Sequence, residues 1–495
     1  MEIPGGEKMR RTMVNIRKGI SLALSCAVIL GGCGEKKEPP VITVMAEQFP
    51  VYTAENREEW IHAIEQETKT ELQITMVPTL EYVSTVERAI RGSRLPMVFT
   101  ANESILGKES FYAYLNAGGF WELDKYLDEY PDLKEFVGEE IWENSRIQGH
   151  IYGIPRLRIQ PRYAAYYRKD WAEALGIEPP QTLGELYDML KAFKLEDPDG
   201  NGENDTVGLV NSWQNYGTRQ WNGIQMLTTV LGGPNGWRYE AEEGKMVPDF
   251  STEGYLEMLR WFRALYQEGI LDHSFAFLTA VQRQELFIQG YAGMIFSVID
   301  DGPELEMQMC QLNPQAEIAV LPLLEGTDGV CRLNGNAGYN GLIAFNRLGQ
   351  GAIKDEEQLR QVLDFYNTLC NERGQELLNL EDREGNSYGQ FMPMSAYVRG
   401  EDDSELRSMV YDCVEEREQY LVPDDSIGLY SETYVRMGDE LNGRIQKASI
   451  RFIMGEIQEK DYWMEYQMWY ESGGKNVIEE YTEAYEQKLR NLPLE

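Results

Sequence analysis

"VITVMAEQFPVYTAENREEWIHAIEQETKTELQITMVPTLEYVSTVERAIRGSRLPMVFTAN", Val41 to Asn102, is the stretch whose reading decides the fold. "VITVMA" has the β-branched alternation of a strand, and "REEWIHAIEQETK" places Trp60, Ile61 and Ile64 on one face of an amphipathic helix. "ELQITMVP" reads as a second strand, "YVSTVERAIRGSRL" as a second helix and "PMVFTAN" as a third strand. Strand, helix, strand, helix, strand predicts a parallel sheet, because parallel neighbours need a crossover between them. Ligands on such sheets gather at the carboxyl ends of the strands, here Glu47 to Phe49 and Thr100 to Asn102.

The pattern resumes after "IYGIPR". "RYAAYYRKDW" reads as a strand passing into the next unit, and "TLGELYDMLKAFK" as a helix opened by Thr182 and Glu185 in a capping box, with Leu186, Leu190 and Phe193 as its stripe. "GYLEMLRWFRALYQEG" is a helix ended by Gly269, "YAGMIFSV" and "NGLIAFN" are strands, and "DEEQLRQVLDFYNTLC" is a long helix. At 495 residues the chain exceeds what one hydrophobic core serves, so two or more domain-sized units are expected. No repeat at solenoid spacing is visible.

The 46 basic and 82 acidic residues give a net charge of -36, which argues against nucleic acid, where clustered Lys and Arg neutralise phosphate. The first residues read as processing sequence. Lys8, Arg10, Arg11, Arg17 and Lys18 are a basic start, Ile20 to Leu30 a short apolar run, and "LGGC" ends at Cys33. Glu2 and Glu7 sit oddly in such a leader, so Met9 and Met13 compete with Met1 as the start. The run is too short to span roughly 30 Å of hydrocarbon. Cys310, Cys331, Cys370 and Cys413 show no metal-ligand spacing; of these, Cys310 and Cys331 are the nearest pair in sequence.

"DPDGNGENDTVGL", Asp197 to Leu209, carries oxygen side chains at alternate positions. Asp197, Asp199, Asn201 and Asp205 stand at positions 1, 3, 5 and 9 of a calcium loop, Glu203 offers its carbonyl at position 7, and Gly202 takes the sharp turn at position 6. Position 12, where a helix-loop-helix site places a bidentate Glu, is Gly208, and "TVGLV" reads as a strand. The loop therefore predicts a structural calcium ion between a helix and a strand, with its last ligand unassigned.

Catalysis has no positive signal. His62, His150 and His273 are the three histidines, and no nucleophile elbow or phosphate-cradling loop occurs. Aromatic and amide residues instead crowd "NSWQNYGTRQWNGIQMLTTVLGGPNGW", with Trp213, Tyr216, Trp221 and Trp237, and "NGNAGYNG", with Asn334, Asn336, Tyr339 and Asn340. Aromatic faces and amide rims suit sugar rings.

Together, "IYGIPR", "YYRKDWAEALGIEPPQTLGELYDMLKAF", "DPDGNGENDTVGL", "GGPNGW", "LRWFRALYQEGILDHSF", "YAGMIFS" and "RFIMGEIQEKDYW" resemble, in that order, the family 1 extracellular solute-binding proteins of ATP-driven oligosaccharide importers. "LGGC" resembles a lipobox. The resemblance implies an α/β, two-lobed fold of the periplasmic-binding-protein type II class, with two mixed sheets flanked by helices and a hinge crossed three times. It implies a signal peptide over 1–32, a lipid on Cys33, a tether over 33–40, an N-terminal lobe of 41–157 and 297–345, and a C-terminal lobe of 158–296 and 346–495. Hinge crossings are expected near Arg156 to Tyr163, Gly293 to Ser297 and Ala344 to Arg347.

The implied function is capture of an oligosaccharide or other sugar between the lobes and its delivery to the permease subunits of an ABC transporter. The protein is expected outside the cytoplasm, as a monomer held to the cell membrane by its lipid alone. Carried over to matching positions, the ligand-binding candidates are Phe49, Asn102, Arg156, Arg158, Trp213, Trp221, Asn336 and Tyr339. Met97, where relatives often carry Asp, and Thr206, where some carry a calcium-completing Glu, depart from the pattern. A secreted glycoside hydrolase or lyase is the alternative.

Overall fold

The computed structural model describes residues 38–48, 57–213, 223–382, 391–393 and 405–491. Of residues 1–39 only Glu38 and Pro39 are described, and the described residues from Pro40 onward form one compact unit. Cys33 and most of the expected tether lie outside the described residues.

The strands, in chain order, are β1 (Val41–Gln48), β2 (Glu71–Pro78), β3 (Val98–Ala101), β4 (Gly153–Leu157), β5 (Tyr163–Arg168), β6 (Val207–Val210), β7 (Trp237–Glu240), β8 (Lys245–Pro248), β9 (Ala292–Val298), β10 (Ile318–Val320), β11 (Leu333–Asn334), β12 (Tyr339–Phe345) and β13 (Leu421–Val422). β1 pairs in parallel with β2 and β3, as the opening stretch predicts, and helices Arg57–Thr68 and Thr79–Arg91 make the crossovers. β12 then pairs antiparallel with both β3 and β4, giving a five-stranded sheet in the order β2-β1-β3-β12-β4. The second sheet runs β10-β5-β9-β6, with β6 and β9 parallel and the other pairs antiparallel. Both sheets are mixed and covered by helices. All residues of "YAAYYR" in β5 and "AGMIFSV" in β9 are buried, which is why neither alternates apolar with polar.

The chain passes between the sheets at 158–162, and its other passages fall away from the second and third stretches named above. Gly293 to Ser297 is the interior of β9, and helix Gly302–Leu312 and β10 stay with the second sheet, so the return to the first lies within 321–338. Helix Glu356–Cys370 lays Leu359, Val362, Leu363, Tyr366 and Leu369 into the cluster that holds Ile42, Val44 and Ile154 of the first sheet. Leu378, Phe391 and Met392 share that cluster, while Leu406 and Val410 pack on the second sheet, so the last passage lies between 393 and 405. The expected lobe limits at 297 and 346 differ from this packing. The apolar stripe of a helix says that it covers a sheet and leaves open which one.

Cys310, Cys331, Cys370 and Cys413 are all free thiols. Among the described residues no helix is long and apolar enough to cross a membrane.

Candidate functional site

The carboxyl ends of β1 and β3 meet the first passage between the sheets, and polar residues from both sheets collect there. Buried Tyr82, on helix Thr79–Arg91, donates its hydroxyl to Thr100 O at 2.8 Å and accepts from Thr100 N at 3.1 Å, which fixes the end of β3. Gly341 of β12 lies so close that a Cβ there would stand 2.4 Å from Ala101 O and 2.8 Å from Asn102 Cα, and its φ of +77° adds a second reason for glycine. Asn102 follows as the N-cap of the short helix Glu103–Leu106, accepting from Ile105 N at 3.1 Å and donating Nδ2 to Glu47 Oε2 at 3.1 Å. Its neighbour Glu103, exposed at the first position of that helix, lies within electrostatic reach of Arg158, Arg156 and Arg162.

The passage itself carries Arg156, Arg158 and Arg162. Arg156 is buried and donates Nη1 to Asn340 O at 3.0 Å. Burial lowers its guanidinium to about 10, with Glu47, Tyr82 and Glu103 opposing that shift. Arg158 keeps partial exposure, donates Nη1 to Leu157 O at 2.8 Å, and is lowered to about 9 by desolvation and by Arg156 and Arg162. Arg162 forms an ion pair with Asp300, beyond the end of β9. Glu103 retains solvent contact, yet enough protein surrounds it that desolvation raises its carboxyl, against the lowering by Arg158, Arg156 and Arg162. A solvated group that still feels desolvation sits in a recess, the setting in which a bound polar ligand gains most from fixed charges.

Tyrosines complete the recess. Tyr339 donates to Asn144 O at 3.1 Å, and its hydroxyl is raised by burial and by Glu103 and Tyr112. Tyr163, at the start of β5, is raised by burial and by Glu103. Tyr112 is pushed up to about 12 by burial and stands 4.8 Å, centroid to centroid, from Tyr430, a residue of the segment that returns to the second sheet. Beside them Lys108 Nζ lies 3.5 Å from Asp439 Oδ2, a second contact between the two halves.

Of the predicted ligand residues, Asn102, Arg156, Arg158 and Tyr339 come together here. Trp213 does not, and that expectation is corrected: its side chain is 1% exposed and packs edge-on against Phe262 and Phe275 in the core of the second sheet. The side chain of Asn336 braces the turn before β12, donating to Ile159 O at 2.6 Å and accepting from Gly338 N at 2.7 Å. Phe49 and Trp221 lie outside the described residues. The structure adds Glu103, Tyr112, Arg162, Tyr163, Asp300 and Tyr430 to the same candidate site. The signal for the arginines was present, since three in "RLRIQPR" is a concentration of positive charge in a strongly acidic chain.

Asn336 instead lines a separate pocket of 360 Å³ with Glu140, Asn144, Asp424, Tyr485 and Lys488. Asp424, one of its lining residues, is pushed up to about 7 by burial, with Asp249 and Asp425 adding to the shift and Ser426 opposing it. A carboxyl raised above its ordinary 3.8 stabilises the fold while protonated, and that contribution is lost as pH rises through about 7. Thermal melts should therefore show Asp424→Asn losing part of the fall in stability between about pH 4 and 7; identical pH profiles for the two proteins would refute the assignment.

The expected metal loop joins helix Leu183–Leu195 to β6. Asp197 accepts from Asn201 N at 3.1 Å and Gly202 N at 3.0 Å, and Asn201 Nδ2 donates to Asp199 Oδ2 at 2.9 Å and Asp205 Oδ1 at 3.2 Å. The four predicted ligand side chains thus share one hydrogen-bonded loop, Asp199 and Asp205 about the Asn201 amide, with Gly202 at φ +85° making the turn and Glu203 N bonded to Asn201 Oδ1 at 2.7 Å. Asp199 is raised by burial and by its acidic neighbours Asp197 and Asp205, a repulsion that a hard cation would relieve. The oxygen donor set fits such an ion. Gly208 at position 12 has its reason: a Cβ there would lie 2.3 Å from Leu190 O and 2.6 Å from Ile270, so no side chain, and no bidentate Glu, can stand there.

Known proteins match this chain over 90% or more of its length. Lipoprotein LipO of Bacillus subtilis is 28% identical over 507 residues, covering 95% of this chain and 98% of its own. The polygalacturonan/rhamnogalacturonan-binding protein YtcQ of the same organism is 28% identical, covering 94% and 98%. Among solved structures, an extracellular solute-binding protein from Bifidobacterium longum subsp. infantis superposes with a TM-score of 0.67 at 16% identity, over 90% of this chain and 98% of its own.

This chain has the fold of the extracellular solute-binding proteins. An EF-hand mutant of the Streptococcus pneumoniae ABC-transporter substrate-binding protein FusA, solved with fructo-nystose, matches with a TM-score of 0.64 at 16% identity over 91% of this chain and 100% of its own. The alginate-binding protein AlgQ2, solved without calcium ion, matches with a TM-score of 0.67 at 15% identity over 91% and 98%. No family model matches the sequence. YtcQ and the solved neighbours are named as binding proteins, and LipO as a lipoprotein.

Proposed function

We propose that this chain is an extracytoplasmic substrate-binding protein, anchored by a lipid on Cys33, that captures an oligosaccharide between its two halves and hands it to an ABC permease. The observation that carries this reading is the recess at the first passage between the sheets. Arg158, Arg156 and Arg162 act on Glu103 there, Asp300 pairs with Arg162, and Tyr112, Tyr163 and Tyr339 lie beside them. Charged and amide groups can bond sugar hydroxyls, and the tyrosine rings can lie on C–H faces. A ligand touching both halves favours the arrangement in which they meet, and that arrangement is the one a permease would recognise. The role is capture without turnover, and calcium in the Asp197–Asp205 loop is structural.

Titration calorimetry against fructo-oligosaccharides, milk oligosaccharides and uronate oligomers tests the reading, and failure of every class to bind would reject it. For the sugar that binds, Arg158→Ala should weaken affinity by about tenfold or more, the equivalent of one charge-assisted hydrogen bond, with thermal stability in the absence of sugar preserved. Unchanged affinity would remove Arg158 from the site.

A further inference from the structure

A second group of donors lies on the first half of the molecule, away from the recess. Leu123 N donates to Ile151 O at 2.8 Å, setting two segments side by side. Leu123 and Ile151 are buried in the core of the first sheet, while three residues next to them keep solvent exposure. Those are Glu122 and Asp124 on one segment and His150 on the other. Among the described residues this is the one place where donor atoms of three His, Cys, Asp or Glu residues lie within 4.8 Å of one another.

We propose that Glu122, Asp124 and His150 form a site for a divalent transition cation of the zinc class. His150 Nδ1 stands 3.4 Å from Glu122 Oε1 and 3.8 Å from Asp124 Oδ2. Bonds of about 2.1 Å at a tetrahedral centre separate neighbouring donors by about 3.4 Å, so one edge is already at its final length and small side-chain rotations close the others. The carboxylate of Asp124 is oriented from behind by two donors. Arg146 Nη1 bonds its Oδ1 at 2.5 Å, and Ile151 N donates to its Oδ2 at 3.0 Å, leaving a second lone pair of Oδ2 toward the imidazole. Such outer-shell bonds are what orient carboxylate ligands. The tight turn between Ile147 and His150, closed by reciprocal backbone hydrogen bonds of 2.9 and 3.1 Å, fixes the base of the histidine. Glu122 and His150 are half-exposed, so water can fill the remaining position.

The imidazole separates this site from the Asp197–Asp205 loop. An all-oxygen loop suits calcium, whereas a nitrogen with two carboxylates suits zinc and its neighbours. Zinc would clip the Arg146–His150 turn to the Glu122–Asp124 segment.

The test titrates zinc into the mature chain by calorimetry with calcium in excess, so that the loop is occupied. Wild type and the His273→Gln control should each bind one zinc ion. His150→Gln should abolish that binding and Glu122→Gln should weaken it, while all four proteins melt alike without zinc. Zinc binding that survives His150→Gln, or that is absent from the wild type at zinc concentrations up to that of the calcium present, overturns the proposal.

Discussion

Trp213→Ala is expected to cost about 3–5 kcal/mol of stability in denaturant unfolding, the range for removing a large aromatic from a packed core, and to leave sugar affinity of the folded protein intact. The indole is held by edge-on contacts with Phe262 at 5.8 Å and Phe275 at 5.7 Å. Its backbone N donates to Phe275 O at 2.9 Å and its carbonyl accepts from Gln446 Nε2 at 2.7 Å, so the surroundings are pinned and cannot collapse into the cavity. A destabilisation below about 1 kcal/mol together with lost sugar binding would return Trp213 to the ligand site.

Chelation of the calcium-loaded protein should lower Tm by several degrees. At calcium about 100 times the dissociation constant, binding to the folded state alone contributes about 2.7 kcal/mol. The stabilisation arises because Asp197, Asp199 and Asp205 are drawn around Asn201 in the fold and repel one another there. Asp199→Asn and Asp205→Asn should each shrink the calcium-induced shift and raise Tm in chelator, since each removes one of the repelling charges. Sugar affinity below the melting range should not change, because the loop ties a helix to β6 and contributes nothing to the recess. Equal melting temperatures in chelator and in millimolar calcium would rule out the metal.

The two predictions share a lesson about which residues a sequence exposes. Asp197 to Asp205 could be read directly because loop geometry is local: the spacing of oxygen side chains and the glycine turn lie within a few residues of chain, and these residues hydrogen-bond to one another in the structure. The aromatic run after the loop looked like a sugar platform because tryptophan serves cores and ligand sites with the same chemistry. Only packing separates the two, and at Trp213 it chose the core. Glu103 passed unnoticed for the opposite reason, one acidic residue among 82, distinguished only by the arginines that the fold brings to it.

By itself the sequence determined the parallel start β1, β2 and β3, the helices that cross between them, the loop that suits a cation and the carboxyl ends where polar residues gather. These follow from periodicity and turn chemistry within a few residues of chain. Tertiary structure alone decided that β12 closes the first sheet, that helix Glu356–Cys370 joins the first core rather than the second, that Gly208 leaves no room for a twelfth-position ligand, and that Arg158, Arg162, Glu103 and Asp300 share one recess. Each depends on contacts between residues far apart in sequence. A hydrophobic stripe or a charge specifies that it needs a partner, and the packing of the whole chain specifies which partner it finds.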